Sequence, residues 1–362
     1  MNTSPFAYKD IYNIVDAVFE GEVHAKRVES ISNATLGVMN AAALGLRGIG
    51  NGLAQAKGLN PKHAIKQVDR LLSNKKFDVN NYFESWVPYH LGERLNIVVA
   101  MDWTEFDQDD HSTLAINLVT NHGRATPLLW KTIIKSTRKG KMLETEKELL
   151  KRLRETTPDH INILVTADRG FGSVERYDYI KKELGMEYVI RFKENIEVIN
   201  EKNESKKAGQ WVPKNGRIKT IRNARVTQQG KKIGTVVCVK HAAMKDAWCI
   251  ACSSQTITGP QAVKYYGKRW SIEPNFRDTK DIRFGMGMSY MRIRNTQRRD
   301  RLFFISALSI TLLTLLGAAG EAAGLDRTLK ANTSKKRTHS LFKQGCMWYD
   351  LIPNMPEARL IP

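Results

Sequence analysis

The uncharged run LFFISALSITLLTLLGAAG, residues 302–320, constrains the fold of this chain more than any other feature. Its length would suit a helix that crosses a membrane. Two features favour a helix buried in a protein core. The run itself contains Ser, Thr and Gly, and it directly follows Arg298, Arg299, Asp300 and Arg301. We therefore expect a fully buried core helix. A membrane-associated protein is the alternative, and it rests on this run alone.

The charge of the chain indicates a polyanionic partner. Lys and Arg number 57 against 37 Asp and Glu, which gives a formal net charge of +20 spread along 362 residues. A folded protein this basic attracts nucleic acid, and a membrane surface is the weaker alternative. The length allows two or three domains, and a hydrophobic content of 42% allows a substantial core. The N-terminal segment MNTSPFAYKD carries charge early and lacks the apolar core of a signal peptide. A cytoplasmic, nucleoid-associated protein is expected.

Four cysteines are too few for a disulfide framework in a chain of this length. Cys249 and Cys252 form a lone C-x-x-C inside the strand-like run WCIACSS, with no second pair nearby to complete a zinc site. Buried thiols in a reducing compartment are therefore favoured over a metal site.

Residues 1–90 have a helical and basic pattern. Gly58 and Asn60 interrupt the chain, Pro61 suits a first helical turn, and a stripe of apolar residues follows at helical spacing. This pattern predicts helix, turn, helix, and a plain helical hairpin is the alternative. In a DNA-reading helix the outer face would carry the basic residues Lys62, Lys66 and Arg70.

The pattern changes near residue 95. LNIVVAMDWTEF and INILVTADRGFGS predict buried strands that end in the acids Asp102 and Asp168, and STLAINLVT, ATPLLWKTIIK and MEYVIRF predict further strands. Between them LETEKELLKRLRE, residues 143–155, predicts an amphipathic helix. Strands and helices in this order indicate an α/β fold with a mixed sheet and flanking helices.

The second half of the chain begins with a polar segment, residues 194–255, that predicts a small β insertion. A helix beginning near Thr258 then carries the stretch YYGKRWSIEPNFRDTK, and Pro274 within it should kink the helix or remove a hydrogen bond. Residues 326–362 contain no clear element.

Three acids could form a catalytic group. Asp102, Asp168 and Glu273 can converge although they are far apart in sequence, and divalent cations would then have to neutralise them. Oxygen ligands suit Mg²⁺ or Mn²⁺, and two such ions can assist phosphodiester chemistry. Other roles remain open for each acid. Asp102 could be a solvated loop residue, Asp168 a turn residue, and Glu273 a partner of Arg269 or Arg277 on the same helix.

Three motifs give the chain a resemblance to a known family. Tyr266, Arg269, Glu273 and Lys280 match the signature Y-(2)-R-(3)-E-(6)-K without a gap. That signature marks the DDE transposases of bacterial insertion sequences in the insertion-sequence-4-like group. MDWTEF resembles the first aspartate motif of that group and TADRGFGS resembles the second. The resemblance covers roughly residues 30–325.

The resemblance implies a site and a fold. It implies that Asp102, Asp168 and Glu273 hold two Mg²⁺ ions, with Mn²⁺ able to substitute, on an RNase H-like mixed sheet with a β-strand insertion and an N-terminal helical DNA-binding region. The implied division of the chain is a helical DNA-binding region (1–90), two parts of the catalytic domain (91–193 and 256–325), a β insertion between them (194–255) and a basic C-terminal segment (326–362).

The resemblance also implies DNA contacts. Tyr266, Arg269 and Lys280 would contact phosphates near the cleavage site, roles that suit their chemistry. Trp248 stands where relatives that cut through a DNA hairpin have a tryptophan that stacks on a flipped base, and such stacking is physically sound. Core packing is an equal alternative for Trp248.

The expected activity is cut-and-paste transposition on double-stranded DNA, at inverted-repeat ends and at target DNA. A homodimer or larger synaptic complex is expected because two ends must be held together, and no membrane partner is expected. Two alternatives remain: an RNase H-like nuclease or resolvase without strand transfer, and a catalytically silent DNA-binding relative.

Overall fold

The computed structural model describes residues 8–19 and 21–351. Helices dominate the two ends of the chain, and most strands lie between them. The helices are α1 Tyr8–Phe19, α2 Ala25–Ala41, α3 Leu46–Lys57, α4 Pro61–Ser73, α5 Val79–Leu91, α6 Arg138–Thr156, α7 Val174–Asp178, α8 Gly259–Lys268, α9 Ile272–Lys280, α10 Thr296–Ala322 and α11 Leu341–Leu351. The strands are β1 Asn96–Phe106, β2 His111–Val119, β3 Ala125–Ile134, β4 Asn162–Ala167, β5 Glu187–Phe192, β6 Glu197–Ile199, β7 Ser205–Lys207, β8 Lys219–Arg222, β9 Arg225–Val226, β10 Lys231–Lys232, β11 Thr235–Val239 and β12 Trp248–Cys252.

The main sheet has eight strands in the order β3-β2-β1-β4-β5-β12-β11-β8. β1, β4 and β5 run parallel, and the other pairs are antiparallel. The order β3-β2-β1-β4-β5 with helices packed on the sheet is the predicted α/β, RNase H-like architecture, and this prediction is confirmed. The parallel β1–β4 pair brings two strand ends to one edge, which matters for the site below.

The β-rich segment 194–255 does more than form a small insertion. Its strands β8, β11 and β12 extend the main sheet beyond β5, while β6, β7, β9 and β10 form a second sheet. β11 and β12 are almost completely buried. Cys238, Cys249 and Cys252 lie there as buried free thiols, as predicted for these residues.

The uncharged run lies within α10. The expected core helix is confirmed, although the run is not fully buried, since Leu315 is 51% exposed. Most of the helix is buried, and its principal neighbours are α11, α2 and β3. Within the described residues, α10 is the one helix long and apolar enough to cross a membrane. Of its apolar 18-residue stretch, 72% is buried inside the protein. Arg301 near its start is buried as well and donates to the backbone oxygens of Phe77 and Leu72.

The predicted break between α3 and α4 is also present. Gly58 ends α3 in the left-handed region (φ 62°), Asn60 caps α4 by accepting from the backbone N–H of Lys62, and Pro61 is the first residue of α4. The two helices approach closely because Gly50 of α3 lies against Ile65 of α4, where a Cβ atom would come within 2.4 Å of the Ile65 side chain.

Three predictions about elements are wrong in detail. Asp102 does not end β1 but lies four residues before its end at Phe106, because the hairpin with β2 extends further. The helix from Thr258 is interrupted: a 3-10 turn, Arg269–Ser271, separates α8 from α9. Pro274 lies in the first turn of α9, where its missing N–H costs little. Finally, the segment after residue 326 contains α11, whose buried face packs against α10.

Candidate active site

Asp102 and Asp168 are neighbours because their strands are parallel partners. Met101 of β1 is paired with Ala167, the last residue of β4. The residues that follow them, Asp102 inside β1 and Asp168 just after β4, are therefore neighbours. The Asp168 carboxylate accepts a hydrogen bond of 2.7 Å from the Gly170 N–H and begins a 3-10 turn. Asp102 Oδ1 accepts a hydrogen bond of 2.9 Å from the backbone N–H of Trp103. The register of the sheet therefore places two carboxylates side by side.

Glu273 joins this pair from the first turn of α9, and Arg269 links it to Asp102. The two ends of the Arg269 guanidinium lie 3.2 Å from Asp102 Oδ2 and 3.1 Å from Glu273 Oε1. The Arg269 side chain is 13% exposed, against 23% for Asp102 and 48% for Glu273. Carboxylates more than 160 positions apart in the sequence thus share one cation.

The electrostatics of this group favour an additional cation. Burial raises the pKa of the Asp102 carboxyl to about 6, Arg269 opposes that rise, and the negative charges of Asp168 and Glu273 add to it. Three carboxylates with one bridging guanidinium leave an excess of negative charge, and their oxygen atoms are the donors that Mg²⁺ and Mn²⁺ prefer. The donor set therefore fits divalent metal ions.

The carboxylates nevertheless do not form a set of metal ligands in this structure. Within residues 8–19 and 21–351, no three His, Cys, Asp or Glu side chains are arranged so that they could hold a metal ion. The Arg269 guanidinium lies between Asp102 and Glu273, where a shared cation would bind. Arg269 and a metal ion would therefore compete for Asp102 and Glu273.

Tyr266 and Trp248 form an aromatic wall beside Arg269. Tyr266 is buried, and its ring meets the half-buried Trp248 ring edge to face with centroids 4.7 Å apart. The Arg269 guanidinium carbon lies 5.7 Å from the centre of the Tyr266 ring. Trp270, the next residue, is 59% exposed. The structure thus brings Tyr266, Trp248 and Arg269 together and leaves part of the Trp248 ring accessible.

Lys280, the last residue of α9, contacts β1 further along the strand, and its ammonium group is engaged inside the protein. Its Nζ donates to Thr104 Oγ1 at 2.9 Å and to the Glu105 carbonyl oxygen at 2.7 Å. Burial lowers the pKa of Lys280. Because Thr104 is two residues from Asp102, Lys280 lies on the same side of β1 as that carboxylate. It joins the site, with its ammonium group held by protein oxygen atoms.

The three basic residues of α4 form a separate surface. Lys62, Lys66 and Arg70 are all exposed, and their spacing of four residues places them in one row. α4 packs mainly on α3 and α2, away from the strands that carry the aspartates. A groove of about 450 Å³ lies beside Arg70 and is lined by basic and neutral residues, with no carboxylate: His24, Lys26, Arg27, Ser30, Gln67, Arg70, Leu71 and Asn74.

Several residues around the site were not predicted. Glu146 of α6 is buried and accepts from Trp103 and Arg176, and Asp278 of α9 is buried and paired with Arg124. Glu146 had a signal in the sequence: it lies three residues after Leu143 and three before Leu149, on the apolar face of its helix. Asp278 had none, because its partner lies in a distant hairpin turn.

A family model described as Transposase DDE domain matches residues 95–312, which is more than half of the chain. The match begins just before β1 and ends within α10, so it includes all three carboxylates. A search of curated protein sequences found no match.

Proposed function

Because the chain belongs to the transposase DDE domain family, we propose that it is a transposase of bacterial insertion sequences that cuts the ends of its element and joins them to target DNA. Family membership itself supports a transposase-type activity on DNA. The finer assignment, to the insertion-sequence-4-like group, rests on the signature residues Tyr266, Arg269, Glu273 and Lys280.

One observation carries the proposal: Asp102, Asp168 and Glu273 converge at the edge of the main sheet, with Arg269 between two of them. Transposases with this domain generally use divalent metal ions, and we assign the holding of two Mg²⁺ ions to these three carboxylates. When bound, such ions supply activation of a water or 3′-hydroxyl and stabilisation of the leaving oxygen. The β1–β4 register orients Asp102 and Asp168, and α9 brings Glu273 to them.

Arg269 has two roles in this proposal. Without DNA it neutralises Asp102 and Glu273, and with DNA it turns to a phosphate near the scissile bond, which its planar guanidinium can hold with two hydrogen bonds. The Tyr266 ring packs beside the guanidinium of Arg269. Lys280 adds positive charge beside β1, and Trp248 offers a ring face to a base that leaves the stack.

The N-terminal helices supply DNA binding away from the chemistry. The exposed row Lys62, Lys66 and Arg70 and the carboxylate-free groove beside it fit a DNA backbone, whose phosphates such a surface attracts. Two element ends have to be held in one complex, so a dimer or larger assembly on DNA is part of the proposal, as is a cytoplasmic, nucleoid-associated location.

Strand transfer separates this proposal from its alternatives. The assay supplies precut element-end DNA and supercoiled plasmid with Mg²⁺, and the ends come from the inverted repeats that flank the gene. Joined product is expected. Cleavage of uncut ends without any joining would favour a nuclease or resolvase. End binding with neither reaction would favour a silent DNA-binding relative.

A further inference from the structure

A buried carboxylate lies behind the two aspartate strands. Glu146 of α6 is 1% exposed; its Oε1 accepts from Trp103 Nε1 at 3.1 Å and its Oε2 from Arg176 Nε at 2.5 Å. Trp103 directly follows Asp102 in β1. Arg176 belongs to α7, the helix that follows the turn begun by Asp168. One side chain thus joins the strand of Asp102 to the helix behind Asp168.

A second buried carboxylate lies behind Glu273. Asp278 of α9 has a side chain that is 4% exposed, and its Oδ2 lies 2.8 Å from Nε of Arg124, in the turn between β2 and β3. Beside it, Asn275 accepts from Nδ2 of Asn117 at 3.1 Å. Asn275 and Asp278 follow Glu273 by two and five residues, which places them on the opposite side of the helix. They hold α9 to the hairpin on its rear side.

The β2 strand is shaped for this contact. The pairing of β2 with β3 shifts register between Ile116 and Asn117, and such irregularities redirect side chains next to active sites. Asn117 is 1% exposed, so its amide is directed into the protein toward α9. A cavity of about 620 Å³ is lined in part by Arg124, Asn275 and Asp278. Ile272 and Phe276 pack α9 against Ala100 and Ala125, and the polar contacts of Asn275 and Asp278 add direction to that packing.

Buried ion pairs of this kind are poor sources of stability. The cost of removing both charges from water offsets most of their attraction, and apolar residues of the same volume often stabilise a protein as well or better. Their geometry, in contrast, is strict, because each hydrogen bond fixes a distance and a direction. Each of the two pairs lies directly behind an element that carries a site carboxylate. Their role is therefore to place those carboxylates and not to add stability.

We propose that Glu146 and Asp278 are positioning residues: Glu146, through Trp103 and Arg176, sets the spacing of Asp102 and Asp168, and Asp278, through Arg124, sets the approach of Glu273. This inference rests on the proposed function. The pair Asp109–Arg299 provides a matched contrast. Its side chains are 0% and 5% exposed, and it joins the turn after β1 to α10. Arg299 contacts β1 at the Phe106 ring, four residues after Asp102, and not beside a site carboxylate.

The test compares Glu146→Gln and Asp278→Asn with Asp109→Asn as the control. Four quantities are measured: the melting temperature in EDTA, its rise with Mg²⁺, the affinity for element-end DNA, and the single-turnover nicking rate at saturating DNA, well below every melting temperature. We expect all three variants to have a lower melting temperature than the wild-type protein. Their affinity for end DNA should stay within threefold of the wild-type value. Glu146→Gln and Asp278→Asn should nick at least tenfold more slowly, need several times more Mg²⁺ for half the maximal rate, and show a smaller Mg²⁺-induced rise.

The control should nick at the wild-type rate. Wild-type rates and Mg²⁺ responses in Glu146→Gln and Asp278→Asn would overturn the inference, and so would an equal loss in Asp109→Asn. A double-mutant cycle adds a test of the pairing: Glu146→Gln with Arg176→Met should be no slower than the slower single variant, and additive losses would refute action as a pair. If Asp278→Asn does not fold, Arg124→Lys, which keeps the charge but loses the fixed geometry, replaces it with the same expected loss.

The inference and the proposed function fail in different ways. Nicking that needs Asp102 and Asp168 but not Glu146 or Asp278 contradicts the inference alone. A wild-type protein that does not nick end DNA contradicts the proposed function, and the Mg²⁺-induced rise in melting temperature then still tests the positioning role.

Discussion

Replacing Arg269 by Met tests the electrostatic account of the site before any DNA is present. The change removes the cation that bridges Asp102 and Glu273 and keeps most of the side-chain volume. The three carboxylates would then repel one another without compensation. In the absence of metal, the variant should be less stable than the wild-type protein. In the presence of Mg²⁺, which can replace the lost charge, the difference should shrink or reverse.

The magnitude follows from the exposure of the two ion pairs. A pair of unit charges at this distance gains at most about 5 kcal/mol at an effective dielectric constant of 20. Glu273 is 48% exposed, so its pair contributes about 1 kcal/mol or less, and the cost of burying Arg269 offsets part of the pair with Asp102. A net loss of about 2 kcal/mol is expected. For a chain of this length that corresponds to a fall in melting temperature of about 3 °C.

Metal titration gives the second half of the test. If releasing Arg269 costs the wild-type protein about 2 kcal/mol, its absence should lower the half-saturating Mg²⁺ concentration by roughly tenfold to thirtyfold. The assay is thermal unfolding across an Mg²⁺ series, starting from EDTA. Lys264→Met, which removes an exposed cation from α8, is the control and should change neither quantity. Equal stability in EDTA together with an unchanged or weaker Mg²⁺ response in Arg269→Met would refute the reasoning.

Three further predictions concern other parts of the chain. The triple variant of Lys62, Lys66 and Arg70 to Ala should weaken end binding and reduce the slope of log affinity against log salt by roughly 2 to 3, as measured by fluorescence anisotropy. Trp248→Ala should slow second-strand cleavage about tenfold or more in a time course while leaving the first nick intact, and Trp248→Phe should restore much of it, because stacking on an extruded base needs an aromatic face. Burial lowers the pKa of His90 to about 4, so the unfolded chain takes up a proton as pH falls below 6.5 and the folded protein does not. Stability from this residue is therefore present above pH 6.5 and should fall by about 2 kcal/mol between pH 6.5 and 5 in urea unfolding, less so in His90→Gln.

Each of these has a result that would contradict it. Substituting Lys139, Lys141 and Lys151 of α6 provides equal loss of charge on another helix, and an equal drop in salt slope there would remove the special role of α4. A Trp248→Ala protein that completes both cuts at the wild-type rate would leave only a packing role against Tyr266. Parallel acid profiles for the wild-type protein and His90→Gln would show that His90 does not contribute.

Much of the fold could be predicted because the local helix and strand signals agree with the pattern of buried apolar residues. The apolar run of α10, the break at Gly58 and Asn60, and the strands around Asp102 and Asp168 all appear in the sequence as continuous signals. A distortion was expected at Pro274, but the interruption lies at Arg269–Ser271, and Pro274 fits the first turn of α9. α11 was missed because the segment is short and its burial depends on α10, where Gly345 is pressed against Leu313.

The site divides in the same way. The carboxylates could be proposed from motifs, because the strand patterns and the spacing of the signature identify them in the sequence. What the sequence could not give is which cations and neutral groups face them. The bridge from Arg269 to Asp102, the inward orientation of Lys280 and the pair of Asp278 with Arg124 join residues that are far apart along the chain. Only the folded sheet sets those distances.

The central claim is that three carboxylates hold the metal ions for cleavage of DNA ends, and one measurement tests it most directly. Nicking of labelled end DNA in Mg²⁺ is compared among the wild-type protein and Asp102→Asn, Asp168→Asn and Glu273→Gln, after equal end binding has been shown for all four. The account predicts metal-dependent nicking by the wild-type protein and a loss of at least a thousandfold in each variant. Retained nicking in any one of them, with binding intact, would contradict it.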